Sequence, residues 1–265
     1  MLAALTVFGG AIFSSSYAQT PIPKKDSKEP TAEQISELVV YIYGSRERMA
    51  QIQRNGVERG RTTRINDEGR TEEISYERRF VRGETSDKDK IRLDQKLPNA
   101  EYALIYNAGR VWGSINGTTF TPRQEAVNDF LAQTKRGISN LLRYKENGAT
   151  LTYVGKDKQK GIDMWIVDLV EKDQQRTRFY ISSQKYRVLW LEYEETPAGV
   201  ASKPVQVKKT FHDYRYAQGQ LVPFRTVVYE DGKQSEETNV LNVSFGLKMD
   251  DSYFQDTPTT ADAQP

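Results

Sequence analysis

The sequence predicts an α+β fold in which a curved antiparallel sheet wraps around amphipathic helices. Two segments carry helix-start signals followed by apolar stripes of helical period. Many short strands follow one another with short turns between them, which favours antiparallel pairing. The strands at residues 164–170 and 188–191 are apolar on both faces, whereas a sheet with one face in water would alternate. A curved sheet whose faces are both covered fits this pattern better than a flat open sheet.

The first helix is predicted from Thr31, because Thr31 and Gln34 form the pattern of a capping box. An apolar stripe follows at Ile35, Leu38, Val39 and Ile42. The second helix is predicted to begin at residues 121–124, with Pro122 at the first helical position. Gly137 is expected to kink or divide it.

The remaining segments have the composition of strands, separated by turns that carry Gly, Asp, Asn or Gln. They are residues 49–66, 70–83, 102–107, 110–115, 150–155, 162–171, 176–182, 187–194, 205–216, 221–230 and 236–247. The predicted order is therefore a helix, four or five strands, a helix and seven strands. The two helices are expected to bury their apolar stripes on one face of the sheet.

The N-terminus has the pattern of an export signal. Residues 2–13 are apolar, and Ser16-Tyr17-Ala18 forms a small-x-small cleavage pattern. We predict a signal peptide at residues 1–18, a flexible leader at 19–30, one domain at 31–254 and a disordered tail at 255–265. The apolar run is too short to span a bilayer, so an exported protein in the periplasm or outside the cell is expected, with no transmembrane span.

Composition excludes several classes of function. The chain has 38 basic and 36 acidic residues, a balance that argues against a nucleic-acid partner. It contains no cysteine, which excludes disulfides, thiolate catalysis and cysteine-ligated metals. No metal cluster, phosphate-binding glycine loop or cofactor motif is found, so no cofactor and no metal site are predicted.

The segment Phe-His-Asp-Tyr-Arg at 211–215 holds the chain's one histidine, His212. On a strand, adjacent residues point to opposite faces, so Asp213 cannot orient the His212 imidazole as a catalytic relay requires. The G-x-S-x-G nucleophile elbow is also absent. We therefore predict no catalytic residue, and a protein that is not an enzyme.

The C-terminal strands resemble those of the LolA/LolB-like superfamily of outer-membrane lipoprotein carriers and lipoprotein-sorting relatives. The resemblance lies in F-x-D-Y-R at 211–215, Gly219, Val222-Pro223, Asp231-Gly232, and NVLNVSFGLKMDDSYF at 239–254. The predicted order of helices and strands is also that of the superfamily, so the resemblance extends over roughly residues 31–254. It implies a strongly curved sheet, an incomplete β-barrel, with helices on its concave face as a lid over an apolar cavity. The implied ligand is a lipid or an acylated protein, which a monomeric carrier binds without catalysing a reaction. The implied role is in trafficking to the outer membrane.

Large apolar side chains in the strands are the cavity candidates, although ordinary core packing is an open alternative for each. They are Phe80, Trp112, Trp165, Trp190, Phe211 and Phe224. The resemblance also implies a basic residue before a proline on an early strand that holds the lid closed. Arg82 is the nearest match, with Gly83 in place of the proline.

Early strands are rich in arginine, at Arg54, Arg59, Arg61, Arg64, Arg78 and Arg79. These side chains are expected to pair with glutamates across neighbouring strands, or to form a surface for an acidic partner or a lipid head group. Two other functions stay open. One is a solidly packed, non-enzymatic module that docks on an envelope protein, and the other is a hydrolase with paired carboxylates.

Overall fold

A computed structural model describes residues 29–65, 69–97, 99–196 and 203–255. The predicted signal peptide, nearly all of the leader, and the predicted tail beyond residue 255 lie outside the described residues. The helices are α1 (Ala32–Ile42), α2 (Arg46–Gln51), α3 (Gln124–Lys135), α4 (Ile138–Leu142) and α5 (Tyr144–Asn147). The strands are β1 (Asn55–Ile65), β2 (Thr71–Val81), β3 (Lys90–Leu97), β4 (Ala100–Asn107), β5 (Arg110–Ile115), β6 (Thr118–Phe120), β7 (Thr150–Gln159), β8 (Ile162–Val170), β9 (Arg176–Ser182), β10 (Val188–Glu195), β11 (Val205–Ala217), β12 (Gln220–Glu230) and β13 (Lys233–Phe245).

The first helix begins as the sequence predicts. The Thr31 hydroxyl accepts a hydrogen bond from the Gln34 backbone N–H, and the Gln34 side chain accepts one from the Thr31 N–H. The prediction of a strand from residue 49 is wrong at its start, because α2 extends to Gln51. The short helix buries Met49, an apolar residue that fits either structure.

The second predicted helix is divided at Gly137, as expected, but it begins later than Pro122. Arg123 is the N-cap residue of α3, and its extended φ and ψ place Pro122 before the helix. Gly137 is likewise extended at φ −148° and separates α3 from α4. Residues 124–147, called here the covering segment, thus contain three helices in place of one.

All thirteen strands belong to one antiparallel sheet, in the order β6-β5-β4-β3-β2-β1-β13-β12-β11-β10-β9-β8-β7. The α+β class and the antiparallel sheet are therefore confirmed. The two halves, β1–β6 and β7–β13, are each meanders, and they join where β1 pairs with β13 at the centre. Strands β6 and β7 form the two edges, so the sheet is open, and the covering segment links one edge to the other.

The helices pack on one face of the sheet over two apolar clusters. Helices α1 and α4 bury Ile35, Val39 and Leu141 against strands β7–β12. Phe130 of α3 packs in a second cluster, built mainly on β2–β4 and β13. On the opposite face, a short 3-10 helix at Asp251–Phe254 places Phe254 against β4 and β5. Both faces of the sheet are thus partly covered.

Candidate ligand-binding cavity

A cavity of about 590 Å³ lies between the sheet and the covering segment. Its floor comes from strands β1–β3 and β10–β13, and its roof from α3, α4 and the residues around them. Residues of both apolar clusters line the cavity. It is within the range of about 300–1,000 Å³ that is usual for small-molecule sites.

Part of the cavity wall is apolar. Phe80 on β2 and Phe245 on β13 meet edge to face, with ring centroids 6.4 Å apart. Val240 and Val243 continue this wall along β13, and Phe211 faces the cavity from β11. When an apolar ligand binds to these side chains, water leaves their surface and the burial of apolar area contributes favourable free energy.

Two glycines in β1 let aromatic rings lie over the strand. A Cβ atom at Gly56 would come within 2.8 Å of the Phe80 ring, and one at Gly60 within 2.7 Å of the Tyr76 hydroxyl. Real Cβ atoms do not approach so closely. Glycine at these two positions therefore sets the depth at which Phe80 and Tyr76 line the cavity.

Two arginines border Phe80 on the cavity side of β2. The guanidinium carbons of Arg78 and Arg82 lie 5.6 and 5.5 Å from the centroid of the Phe80 ring. Burial, together with the positive charge of Arg143, lowers the pKa of Arg82 to about 10. Arg82 therefore remains charged at neutral pH.

A buried ion pair joins the covering segment to the loop between β2 and β3. Arg143, between α4 and α5, donates to both carboxylate oxygens of Asp89 at 3.1 and 2.8 Å and to the Gly83 carbonyl at 2.8 Å. The side chains of Arg143 and Asp89 are only 10% and 11% exposed. Close by, the Ser86 backbone N–H donates to the Asn147 side chain at 3.0 Å. These contacts fasten the C-terminal end of the covering segment to the sheet.

The other end of the cavity is rich in carboxylates. Burial lowers the pKa of Lys209 on β11 to about 8, while Glu236 and Glu195 act in the opposite direction. The Lys209 ammonium donates to the Arg136 carbonyl at 3.3 Å. Burial raises the pKa of Glu195, and the nearby Asp129 carboxylate adds to that rise.

Three of the residues predicted from sequence line the cavity: Phe80, Phe211 and Arg82. The described lining does not include the other four. Trp112 packs with Phe254 on the opposite face of the sheet.

Trp190 stacks on Tyr180 with ring centroids 4.5 Å apart and carries the Lys208 ammonium over its ring. Trp165 stacks on Tyr186 at the border of the cluster under α1. Phe224 is half-buried, with the Arg215 guanidinium 4.7 Å over its ring. Arg82, the predicted latch, has no side-chain ion pair within 4 Å among the described residues, and the buried ion pair between the roof and the loop after β2 is made by Arg143.

Most of the early arginines pair with carboxylates, as one of the two sequence interpretations expects. Arg59 and Arg79 both pair with Glu77, and Arg79 also reaches Asp94 at 2.6 Å. Arg61 pairs with Glu73, and Arg64 with Glu236. Ion pairs, most of them between neighbouring strands, therefore account for these charges, whereas Arg78 faces the cavity and has no ion pair within 4 Å among the described residues.

His212 is exposed on β11, and its Nε2 lies 2.9 Å from the Thr210 hydroxyl. Burial and the neighbouring Arg225 guanidinium lower the His212 pKa. The Asp213 carboxylate binds Arg215. The expected separation of His212 from Asp213 is therefore confirmed.

Sequence reasoning missed Arg143, Asp89 and Lys209, and it grouped Arg78 with the early-strand arginines that pair with glutamates or form a surface for an acidic partner or a lipid head group. The alternation of β2 offers a signal for Arg78, because it shares a strand face with Phe80, two residues away. Arg143 and Asp89 lie outside the periodic segments, so no pattern in the sequence joins them.

An antiparallel sheet with helices on one face and a cavity between the layers defines the class of this protein. Among solved structures of the same class is a DUF1329 family protein from Desulfovibrio piger, with a TM-score of 0.61, 12% identity, and coverage of 84% of this chain and 97% of that one. A LolA superfamily protein from Nitrosomonas europaea has a TM-score of 0.60 and 11% sequence identity, and the match covers 86% of this chain and 99% of that one.

A domain from Vibrio parahaemolyticus, named as an outer membrane lipoprotein-sorting protein domain, has a TM-score of 0.54 and 13% sequence identity. The match covers 83% of this chain and 97% of that one. The predicted resemblance to the LolA/LolB-like superfamily is thus confirmed in the fold. No protein-family model and no curated protein matches the sequence. In the described ranges, no helix has the length and apolar character needed to cross a membrane.

Proposed function

We propose that this protein binds the acyl chain of a lipid or of a lipidated protein in the cavity under the covering segment. The observation that carries the proposal is the cavity of about 590 Å³ whose wall combines Phe80, Val240, Val243 and Phe211. Each methylene moved from water to such a wall contributes about 0.8 kcal/mol. An acyl chain can therefore be held without any reacting group, and we propose a binding protein in preference to an enzyme.

We also propose that the sheet curves strongly around this cavity. Phe130 of α3 packs in the cluster built mainly on β2–β4 and β13, and Arg136, directly after α3, lies 4.5 Å from the centroid of the Tyr193 ring on β10. The covering segment thus contacts both halves of the sheet, and a curved sheet would bring the outer strands of this floor, β3 and β10, closer together than the roughly 29 Å that separates them in a flat one.

The proposal includes a periplasmic or extracellular location and a monomeric carrier, with a part in lipid or lipoprotein trafficking to the outer membrane. It is supported by the small-x-small pattern at Ser16-Tyr17-Ala18 and by the fold shared with the lipoprotein-sorting domain. We propose residues 1–18 as the signal peptide and 31–254 as the binding domain.

The fluorescence of N-phenyl-1-naphthylamine, a neutral apolar probe, tests the proposal. We expect saturable binding to the purified protein. Val240→Trp and Val228→Trp place an indole in the cavity and should each reduce probe affinity by at least about tenfold, because the space for the ligand is filled. Circular dichroism and thermal unfolding establish that each variant is folded.

Leu241→Trp is the matched control, because Leu241 is adjacent on β13 and 61% exposed. It should bind the probe like the wild type. Retained binding by folded Val240→Trp and Val228→Trp would contradict the proposal. Absence of probe binding by the wild type, together with capture of an envelope protein, would favour the alternative of an interaction module with a packed core.

A further inference from the structure

Two cations face the cavity without an anionic partner. Arg78 and Arg82, called here the guanidinium pair, are half-buried, and no ion pair within 4 Å is found for either among the described residues. Each guanidinium lies over the face of the Phe80 ring, and the Arg82 guanidinium also interacts at longer range with the charges of Asp89 and Glu146. A guanidinium has five N–H donors, and leaving them without acceptors in a partly buried site is costly.

The carboxylates near the guanidinium pair are already occupied. Asp89 accepts from Arg143 through both oxygens and also from the Gly83 backbone N–H at 2.8 Å. Glu58 lies opposite Arg78 in the register of β1 and β2, but its carboxylate accepts a hydrogen bond from the Tyr76 hydroxyl at 2.9 Å. Glu146, whose charge also acts on Arg82, is bound by Arg46 at 3.1 and 3.2 Å. Among the residues that line this end of the cavity, three arginines and two carboxylates leave an excess of positive charge.

The opposite end of the cavity has the reverse character. Four carboxylates line it, and Lys209, Arg64 and Arg136 are the cations beside them. The carboxylates are Asp129, Glu195, Glu230 and Glu236. Arg64 is engaged by Glu236 at 2.8 Å. An anionic group is therefore favoured at the guanidinium pair and disfavoured at the far end, while the apolar wall lies between them.

We propose that the guanidinium pair binds an oxyanion head group, a carboxylate or a phosphate, of the ligand whose acyl chain lies along the apolar wall. This inference rests on the proposed function and names its ligand class as an anionic amphiphile. Guanidinium groups match both oxyanions in geometry and can bind them through paired hydrogen bonds. The Phe80 ring contacts both arginines and limits the positions that their guanidinium groups adopt.

Displacement of N-phenyl-1-naphthylamine separates head-group recognition from chain binding. The competitors are palmitate, 1-palmitoyl-lysophosphatidate and the neutral 1-palmitoylglycerol, all used below micelle-forming concentrations. They share one acyl chain and differ in the head group. For the wild type, the anionic competitors should displace the probe at concentrations at least about tenfold lower than the neutral one. The more effective anion identifies the carboxylate or the phosphate as the preferred head group.

The variant Arg78→Gln/Arg82→Gln removes both charges, and its own probe affinity is measured first so that the competitors are compared within the variant. Its preference for anionic competitors should fall to about twofold or less. The single variants provide the same comparison if the double variant is unstable. Arg110→Gln removes an exposed arginine on β5 and should retain the wild-type preference.

The outcomes distinguish the inference from the proposed function. If the probe binds but all three competitors are equivalent, or if the double variant keeps the preference, the head-group inference is overturned and chain binding stands. If the wild type does not bind the probe at all, both are overturned.

Discussion

Lys209 shows how one buried charge can be retained at a cost in stability. Its side chain lies at the carboxylate-rich end of the cavity, and its residue is 8% exposed. Burial is the main cause of its lowered pKa, and Glu236 and Glu195 offset only part of the effect. The native protein therefore holds a lysine whose charged form is less favourable than in the unfolded chain.

Lys209→Met should raise the free energy of unfolding at pH 7 by up to about 3 kcal/mol, the equivalent of a pKa lowered from 10.5 to about 8. Between pH 8 and 10.5 the unfolded chain keeps the proton and the native state loses it, so wild-type stability rises with pH. Below pH 8 both states are protonated, and the cost is constant. Urea unfolding across this range should show the added slope in the wild type and not in the variant.

Lys208→Met is the matched control. Lys208 is on the other face of β11, 37% exposed and 3.3 Å from Glu192. Its removal should change stability by less than about 1 kcal/mol and should leave the pH dependence intact. Equal pH slopes for the wild type and Lys209→Met would contradict the assignment of the slope to Lys209.

Single residues show where sequence reasoning about the site stops. Period-2 alternation groups Phe80 with Arg78 and Phe211 with Lys209, and all four line the cavity. Alternation does not say which face of a strand meets the cavity. Trp112 and Trp190 look equally suitable in the sequence, but Trp112 packs against the C-terminal 3-10 helix and Trp190 stacks on Tyr180.

At the scale of elements, β1 is the strand on which the cavity depends most. It lies at the centre of the sheet, between β2 and β13, and carries Gly56 and Gly60 under the aromatic rings. A glycine within a strand is normally a weakness, and here it marks a close approach of neighbouring groups.

Gly60→Ala should lower the free energy of unfolding by about 1–3 kcal/mol, because its Cβ would lie 2.5 Å from the Asn239 carbonyl oxygen and 2.7 Å from the Tyr76 hydroxyl. Gly137→Ala is the control, since the nearest atom to its Cβ, the Ser139 hydroxyl oxygen, is 3.8 Å away. Urea unfolding measures both. A loss for Gly60→Ala no larger than that for Gly137→Ala would show that β1 shifts to accept a side chain.

Helices and strands were predicted correctly where a short-range pattern in the sequence specifies them. All seven strands after the covering segment are found, as is the capping box of α1. Residues 49–51 were assigned to a strand because the sequence there has no helix-start signal, and α2 begins without a side-chain cap at Ser45. Strands β3 and β6 were not named, because β6 has only three residues and β3 is mostly charged or polar.

At the scale of the whole molecule, the covering segment forms the roof of the cavity. It is fastened near its C-terminal end by Arg143 to Asp89 and by Asn147 to the Ser86 backbone. If this end moves during ligand exchange, fixing it should slow exchange. The chain contains no cysteine, so an engineered disulfide would form without competing thiols.

Ser86→Cys/Asn147→Cys should, when oxidised, take up N-phenyl-1-naphthylamine at least about tenfold more slowly than the wild type. The two residues are in contact, because the Ser86 N–H reaches the Asn147 side chain at 3.0 Å, and loss of free thiol on oxidation establishes that the bridge has formed. Stopped-flow fluorescence measures the rate, and reduction with dithiothreitol should restore it. Equal rates for the oxidised and reduced forms would show that the ligand enters elsewhere.

The strand order could not be predicted from the sequence. Each meander follows from short turns, but the pairing of Gly56 with Phe245 joins residues almost at opposite ends of the domain. No local pattern specifies that partner, because the β1 side chains would suit several other strands. The cavity floor, which takes strands from both halves of the sheet, depends on this pairing, and only the family resemblance predicted a cavity.

The central position of β13 also has a consequence for biosynthesis. Among the described strands β13 is synthesised last, and in that part of the chain its pairing with β1 is the hydrogen-bonded link between the two halves of the sheet. A nascent or truncated chain that ends before residue 233 can form two separate meanders, each with an unpaired strand border open to association with other chains. The two halves can therefore join only after β13 has been made.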